Sequence, residues 1–116
     1  MREHIHKSHN KSLLLYHFVC PVKYRRTVFT SDISKTFKNV CLEIEFRFDI
    51  QFLEVGIDGN HVDFLIQSVP MNSPKKIISF VKSITAKEIF RLHPEVKLFL
   101  WSGKFWTSGY YVNSVG

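Results

Sequence analysis

Hydrophobic positions along the chain change period several times, and each change predicts an element. Leu13 to Val22, reading Leu-Leu-Leu-Tyr-His-Phe-Val-Cys-Pro-Val, is rich in branched and aromatic residues and predicts a strand. After Ser31 or Asp32 as helix cap, Ile33, Phe37, Val40, Cys41, Ile44 and Phe48 recur at helical spacing and form one apolar stripe. Asp49 to Ile57 predicts a second strand, Asp58-Gly59 is a hairpin signal, and His61 to Val69 is the antiparallel return. Met71-Asn72-Ser73-Pro74 breaks that strand, with Ser73 as cap and Pro74 at the first helical position of a second helix. Ile77, Phe80, Val81 and Ile84 are its expected buried face, and it should run to about His93, before Pro94. Trp101 to Trp106 and Gly109 to Val115 predict two further short strands.

This order of elements predicts an α+β fold of the split βαβ type, ferredoxin-like or RRM-like: an antiparallel sheet of four to five strands with two helices on one face. Residues 13–116 are expected to form this one domain, and the polar, aperiodic residues 1–12 a flexible tail. His4, His6 and His9 on that tail are expected to be plain solvated side chains. The first and third strands carry apolar residues on both faces: Leu13, Leu15 and Val19 oppose Leu14, Phe18 and Cys20, and Val62, Phe64 and Ile66 oppose Leu65 and Val69. Helices on one side would leave the second face wet, so a partner subunit, and hence a homodimer, is expected to cover or extend the sheet.

Composition sharpens the picture in one direction. A 45% hydrophobic, 15% aromatic chain of 116 residues can bury a core without disulfides. Sixteen Lys and Arg against ten Asp and Glu leave a formal charge of +6, which favours a polyanionic partner, nucleic acid first among them. Cys20 and Cys41 form no metal-binding pair and suggest no disulfide framework, so a reducing, cytoplasmic setting is expected. No signal-like leader and no apolar run of membrane-spanning length stands in the sequence.

The candidate chemistry sits at the hairpin. His61 and Asp63 are two residues apart on a strand, so they share a face at about 6.6–7 Å along the backbone, within reach of one metal ion. An imidazole and a carboxylate suit a divalent cation, magnesium or manganese, although two polar residues on an exposed strand face are also ordinary. Lys23-Tyr24-Arg25-Arg26 offers cations for phosphates and a ring for a base, or else a plain charged loop. Lys75 and Lys76 lie in a first helical turn, where the helix dipole disfavours cations, so an anion is a candidate partner. Lys82, Lys87 and Arg91 extend that basic surface, which would otherwise be a solvated helix face. Trp101, Trp106, Tyr110 and Tyr111 could stack on bases, but in a chain with eleven Phe they are more often packing residues.

Several of these pieces together resemble one family. Tyr16-His17, Lys23-Tyr24-Arg25-Arg26, the run Gly56-Ile57-Asp58-Gly59-Asn60-His61-Val62-Asp63-Phe64-Leu65-Ile66, Ser68-Val69-Pro70, the Ile84 to Arg91 segment, and Leu100-Trp101 through Phe105-Trp106 to Gly109-Tyr110-Tyr111-Val112-Asn113-Ser114-Val115-Gly116 match the single-tyrosine HUH transposases in order and spacing. These are the TnpA proteins of insertion sequences 200 and 605, and the match runs from about Ser8 to Gly116.

The resemblance implies a homodimeric enzyme that cuts and rejoins single-stranded DNA at the hairpin ends of a mobile element. A tyrosine forms a 5′-phosphotyrosine, and a metal ion is held by a His-hydrophobic-His pair. Here His61 takes the first place of that pair and Asp63 replaces the second histidine. The family's nucleophilic tyrosine lies on a helix after the Ser-Val-Gly segment, so Tyr16, Tyr24, Tyr110 and Tyr111 are not its counterparts. These 116 residues alone are therefore expected to bind metal and DNA without cleaving, in the cytoplasm and at the nucleoid when on DNA. The competing reading is a non-catalytic RRM-like nucleic-acid-binding module, against which stands the lack of an aromatic-rich segment on the central strands.

Overall fold

A computed structural model describes residues 13–115 of the chain. The histidine-bearing tail lies outside these residues. Four strands form one antiparallel sheet: β1 (Leu14–Pro21), β2 (Ile50–Asp58), β3 (His61–Ser68) and β4 (Tyr111–Val115), in the spatial order β2-β3-β1-β4. Three helices complete the α+β fold: α1 (Ser31–Arg47), α2 (Pro74–Leu92) and α3 (Pro94–Leu100).

Strict alternation along β3 decides the layering. Val62, Phe64, Ile66 and Ser68 are buried, while His61, Asp63, Leu65 and Gln67 are only half-buried. Phe18 pairs directly with Phe64, and Cys20 with Val62, so β1 turns the matching positions inward. Phe37 from α1 and Ile77, Ile78, Val81 and Ile89 from α2 close over that inner face with complete or near-complete burial. Each such side chain stabilises the fold by roughly 1.5–3 kcal/mol through removal of apolar surface from water. Phe105 and Trp106 extend the core beyond the sheet, and the buried indole Nε1 of Trp106 donates to Thr85 Oγ1 at 3.1 Å.

Four expectations need correction. Trp101–Trp106 is not a strand: Trp101 is the left-handed C-cap of α3, and only Trp106 makes an isolated bridge, to Val22. The two expected helices are three, because Pro94 starts a new helix as well as ending the previous one; proline's fixed φ suits a first helical turn. The cap of α1 is Thr30, whose hydroxyl accepts from the Ile33 amide at 3.3 Å, one residue before the expected Ser31 or Asp32. Phe80 and Ile84 lie at the margin of the core, half-buried, while Ile78, Thr85 and Ile89 take the inner positions of α2. Phe80 instead stacks on Phe48, with ring centroids 4.2 Å apart.

Candidate functional site

The face of the sheet opposite the helices carries the candidate chemistry. His61 and Asp63 both stand there, on β3, with Gly56 of β2 on one side of Asp63 and Val19 of β1 on the other. A Cβ at Gly56 would make only an ordinary 3.7 Å contact with the Asp63 Cβ. Neither His61 nor Asp63 is buried, so solvent and a ligand reach both.

The hairpin turn orients the imidazole. Gly59 takes φ +49°, a conformation that L side chains adopt rarely, and this turns Asn60 alongside the ring. Asn60 Oδ1 lies 3.0 Å from His61 Nδ1. An amide oxygen at this position accepts from the tautomer that carries its hydrogen on Nδ1, and in that tautomer Nε2 has the lone pair a metal-binding histidine uses. Asp58 Oδ2 stands 3.8 Å from that Nε2. Sequence spacing had revealed the His61–Asp63 pair but not Asn60, whose part depends on the turn.

Among the described residues, no three His, Cys, Asp or Glu side chains come together in a metal-binding group. His61 and Asp63 supply one imidazole nitrogen and one carboxylate. That set fits a hard octahedral ion such as magnesium, which commonly binds through one or two carboxylates and completes its shell with water and phosphate oxygens. The nearby thiol does not contribute. Burial, partly countered by the Lys82 charge and reinforced by that of Asp63, pushes the Cys20 thiol up to about 12, and its strand position faces the core.

The basic residues separate into two groups. Lys23, Tyr24 and Arg25 form a short 3₁₀ turn, with Val22 as its N-cap and Arg26 as its C-cap, and Val22 follows Pro21, the direct pairing partner of His61. The Val22 amide donates to the Asn60 carbonyl at 2.8 Å, so this basic turn is fastened to the hairpin. Lys75, Lys76, Lys87 and Arg91 lie exposed on α2, in the helical layer, on the far side of the sheet from His61 and Asp63. Arg91 is also held by Glu88, at 2.7 Å, and this hydrogen bond keeps the Glu88 carboxyl below the usual range.

Lys82 differs from what its sequence context suggests. Its ammonium is partly buried and donates to the carbonyls of Thr107 at 2.8 Å and Gly109 at 3.3 Å. Burial lowers its pKa, partly countered by the field of Cys20. It pins the approach to β4 and is not presented as a free phosphate contact.

The tyrosines are also placed. Tyr16 and Tyr110 pack their rings at 6.0 and 6.1 Å from Phe18, on the core side of the sheet. Tyr24 is exposed on the basic turn. Tyr111 pairs with Val19, which pairs with Asp63, so Tyr111 and Asp63 occupy one row of the open face with a strand between them.

The family profile described as "Transposase IS200 like" matches residues 10–116. The chain is 24% identical over 102 residues to the ISDra2 transposase TnpA of Deinococcus radiodurans, covering 88% of this chain and 73% of that protein. It is 23% identical over 109 residues to the transposase of insertion sequence element IS200 from Salmonella typhimurium, covering 94% of this chain and 72% of that one.

Among solved structures, a candidate transposase of D. radiodurans R1 superposes with a TM-score of 0.84 at 22% identity, over 90% of this chain and 81% of that one. The REP-associated tyrosine transposase bound to a REP hairpin gives a TM-score of 0.61 at 9% identity, over 89% of this chain and 56% of that chain. Both likenesses speak to the fold. No described helix is long and apolar enough to cross a membrane.

Proposed function

This chain belongs to the IS200-like transposase family, and we propose that it binds the single-stranded, hairpin-bearing ends of an insertion element as part of their cutting and rejoining. The observation that carries this reading is the placement of His61 and Asp63 side by side on the open face of a central strand, with the imidazole oriented by Asn60. His61 Nε2 and the Asp63 carboxylate would hold a magnesium or manganese ion. When bound, such an ion polarises a phosphate oxygen and stabilises the charge that builds there. Asn60 keeps the ring in the metal-binding tautomer, and the turn at Lys23 to Arg26 would hold the DNA backbone beside it.

In the proposed reaction a tyrosine oxygen attacks the scissile phosphorus and gives up its proton. The bond from phosphorus to the 3′ oxygen breaks, the 3′ oxygen leaves as a hydroxyl, and the 5′ phosphate stays on the tyrosine. Rejoining reverses these steps with another 3′-hydroxyl, and the phosphotyrosine conserves the bond energy so that no nucleotide cofactor is consumed. Tyr16, Tyr24, Tyr110 and Tyr111 are not assigned to the nucleophile's role. The end of the open face away from His61, where Leu15 and Leu65 are only half-buried, suits cover by a second copy of the chain that leaves His61 and Asp63 accessible.

An RRM-like module would instead display stacking rings on its central strands. The open-face positions of β1 and β3 are Leu15, His17, Val19, Pro21, His61, Asp63, Leu65 and Gln67, none of them Phe, Tyr or Trp. The deciding experiment is a manganese titration of hairpin-DNA affinity with the wild-type chain and with His61→Ala. Metal-dependent binding that disappears in the variant supports the proposal. Affinity indifferent to both metal and substitution rejects it.

A further inference from the structure

One strip of surface gathers features that the metal site does not use. The non-glycine residues with positive φ among the described residues are Tyr24 at +59°, Arg25 at +53° and Trp101 at +54°, and all three belong to this strip. Left-handed backbone is unfavourable for such residues, and strain of this kind concentrates where a side chain must be presented. Burial does not compensate it here, because Tyr24 is 63% exposed and Trp101 is 86% exposed.

The two segments are far apart in sequence but joined in space. The Lys23 amide donates to the Phe105 carbonyl at 2.8 Å, and Val22 bridges to Trp106. Arg26 lies over the Phe99 ring, 4.9 Å from its centroid, and Lys23 Nζ lies 5.3 Å from the Tyr24 centroid. The strip starts at the hairpin, since Val22 is bonded to Asn60 next to His61. Its ionic character is mainly cationic, from Lys23, Arg25 and Arg26 on the turn, with Glu95 beside His93 as the neighbouring carboxylate.

From this arrangement, and resting on the function proposed above, we infer that the strip is the binding path for unpaired DNA beside the cleaved phosphate, with bases stacked on Tyr24 and Trp101 and phosphates against the cations. Exposed rings interleaved with cations are how proteins hold single strands, because every unpaired base offers a face and every nucleotide a charge. A paired stem hides those base faces and would meet only the cations. A protein partner fits less well, since the centre of a protein interface is depleted in charge. A second copy of a chain carrying +6 would bring like charges together here.

The test measures binding of the full 116-residue chain, with manganese present, to three DNAs: a blunt hairpin, the same hairpin with an unpaired flank, and the flank alone. The wild type should prefer the flanked hairpin. Trp101→Ala should lower that affinity roughly 5- to 100-fold, the value of one stacked base, and leave the blunt hairpin unchanged. Trp101→Phe should restore most of the loss, and 2-aminopurine in the flank should be quenched by the wild type and not by Trp101→Ala.

Equal losses on blunt and flanked hairpins, or no preference for the flank, would overturn the inference while hairpin binding left the family reading intact. A fall from dimer to monomer in sedimentation of Trp101→Ala would overturn it in favour of a subunit contact. If no hairpin is bound at all, the reading of the metal site fails, and binding of the flank alone still decides the strip: tight, Trp101-dependent binding supports it and no binding rejects it.

Discussion

Asn60 Oδ1 sits 3.0 Å from His61 Nδ1, a contact between neighbours in sequence that, under the proposed function, would leave Nε2 of the imidazole to accept an ion. Removing an orienting partner of this kind commonly costs 10–100-fold in metal affinity without touching the ligand itself. Asn60→Ala is therefore expected to weaken manganese binding by about that factor, with the thermal midpoint shifted little because the backbone carbonyl of Asn60 still accepts from Val22. Calorimetric titration of metal into the wild type and the variant, paired with thermal unfolding, separates the two effects. Equal metal affinity in both would show that the amide does not set the tautomer.

Glu45 on α1 is a buried carboxylate with a structural task. Its Oε2 accepts from the Phe52 amide at 2.6 Å, where β2 bulges between Phe52 and Glu54 and the ladder register slips. A bulge leaves a backbone group unpaired, and Glu45 satisfies it. Glu45→Ala would orphan that amide and should cost about 1–3 kcal/mol. Denaturant unfolding should show Glu45→Gln recovering part of the loss, because its amide oxygen can still accept.

Much of this fold was legible because its signals are local. The alternation from His61 to Gln67 and the Asp58-Gly59 turn determine both the β2–β3 hairpin and the shared face of His61 and Asp63. Elements decided by distant contacts were not legible. Phe105 and Trp106 look like part of an alternating strand, but the core takes both side chains from a turn, where Thr85 receives the indole. Lys82 reads as one more surface cation until the carbonyls of Thr107 and Gly109 are seen to meet it. The basic turn and the Trp101 segment each looked ordinary alone; their meeting depends on a backbone hydrogen bond from Lys23 to Phe105, 82 residues away along the chain.

Lys82 should matter more for the last strand than for DNA affinity. Each residue of β4 is exposed and, among the described residues, the strand pairs with β1 alone; its approach is held by the two hydrogen bonds from the Lys82 ammonium, together with the Thr107 amide donating to the Pro21 carbonyl and the packing of Tyr110 on Phe18. Lys82→Met keeps the aliphatic stem and removes both donors. A loss of about 1–2 kcal/mol is expected, with faster amide exchange concentrated in Tyr111–Val115. Exchange accelerated uniformly across β1, β3 and β4 would mean that Lys82 supports the core as a whole.

The two thiols give a pH dependence with a definite sign. Burial is the main cause that pushes Cys20 up to about 12 from an ordinary value of 9.0, and Cys41 is raised further, by burial and by the Glu45 charge. Both are free and buried in the folded chain. A group whose pKa is raised by folding contributes stability below its unfolded value and loses it as pH rises toward the folded one. Stability should therefore hold up to about pH 9 and fall between there and pH 12. Cys20→Ala with Cys41→Ala should flatten that alkaline fall in urea unfolding, even though the smaller side chains lower stability at neutral pH. At pH 8 both thiols of the wild type should resist iodoacetamide until denaturant exposes them, and rapid alkylation of either one in the folded protein would contradict this burial.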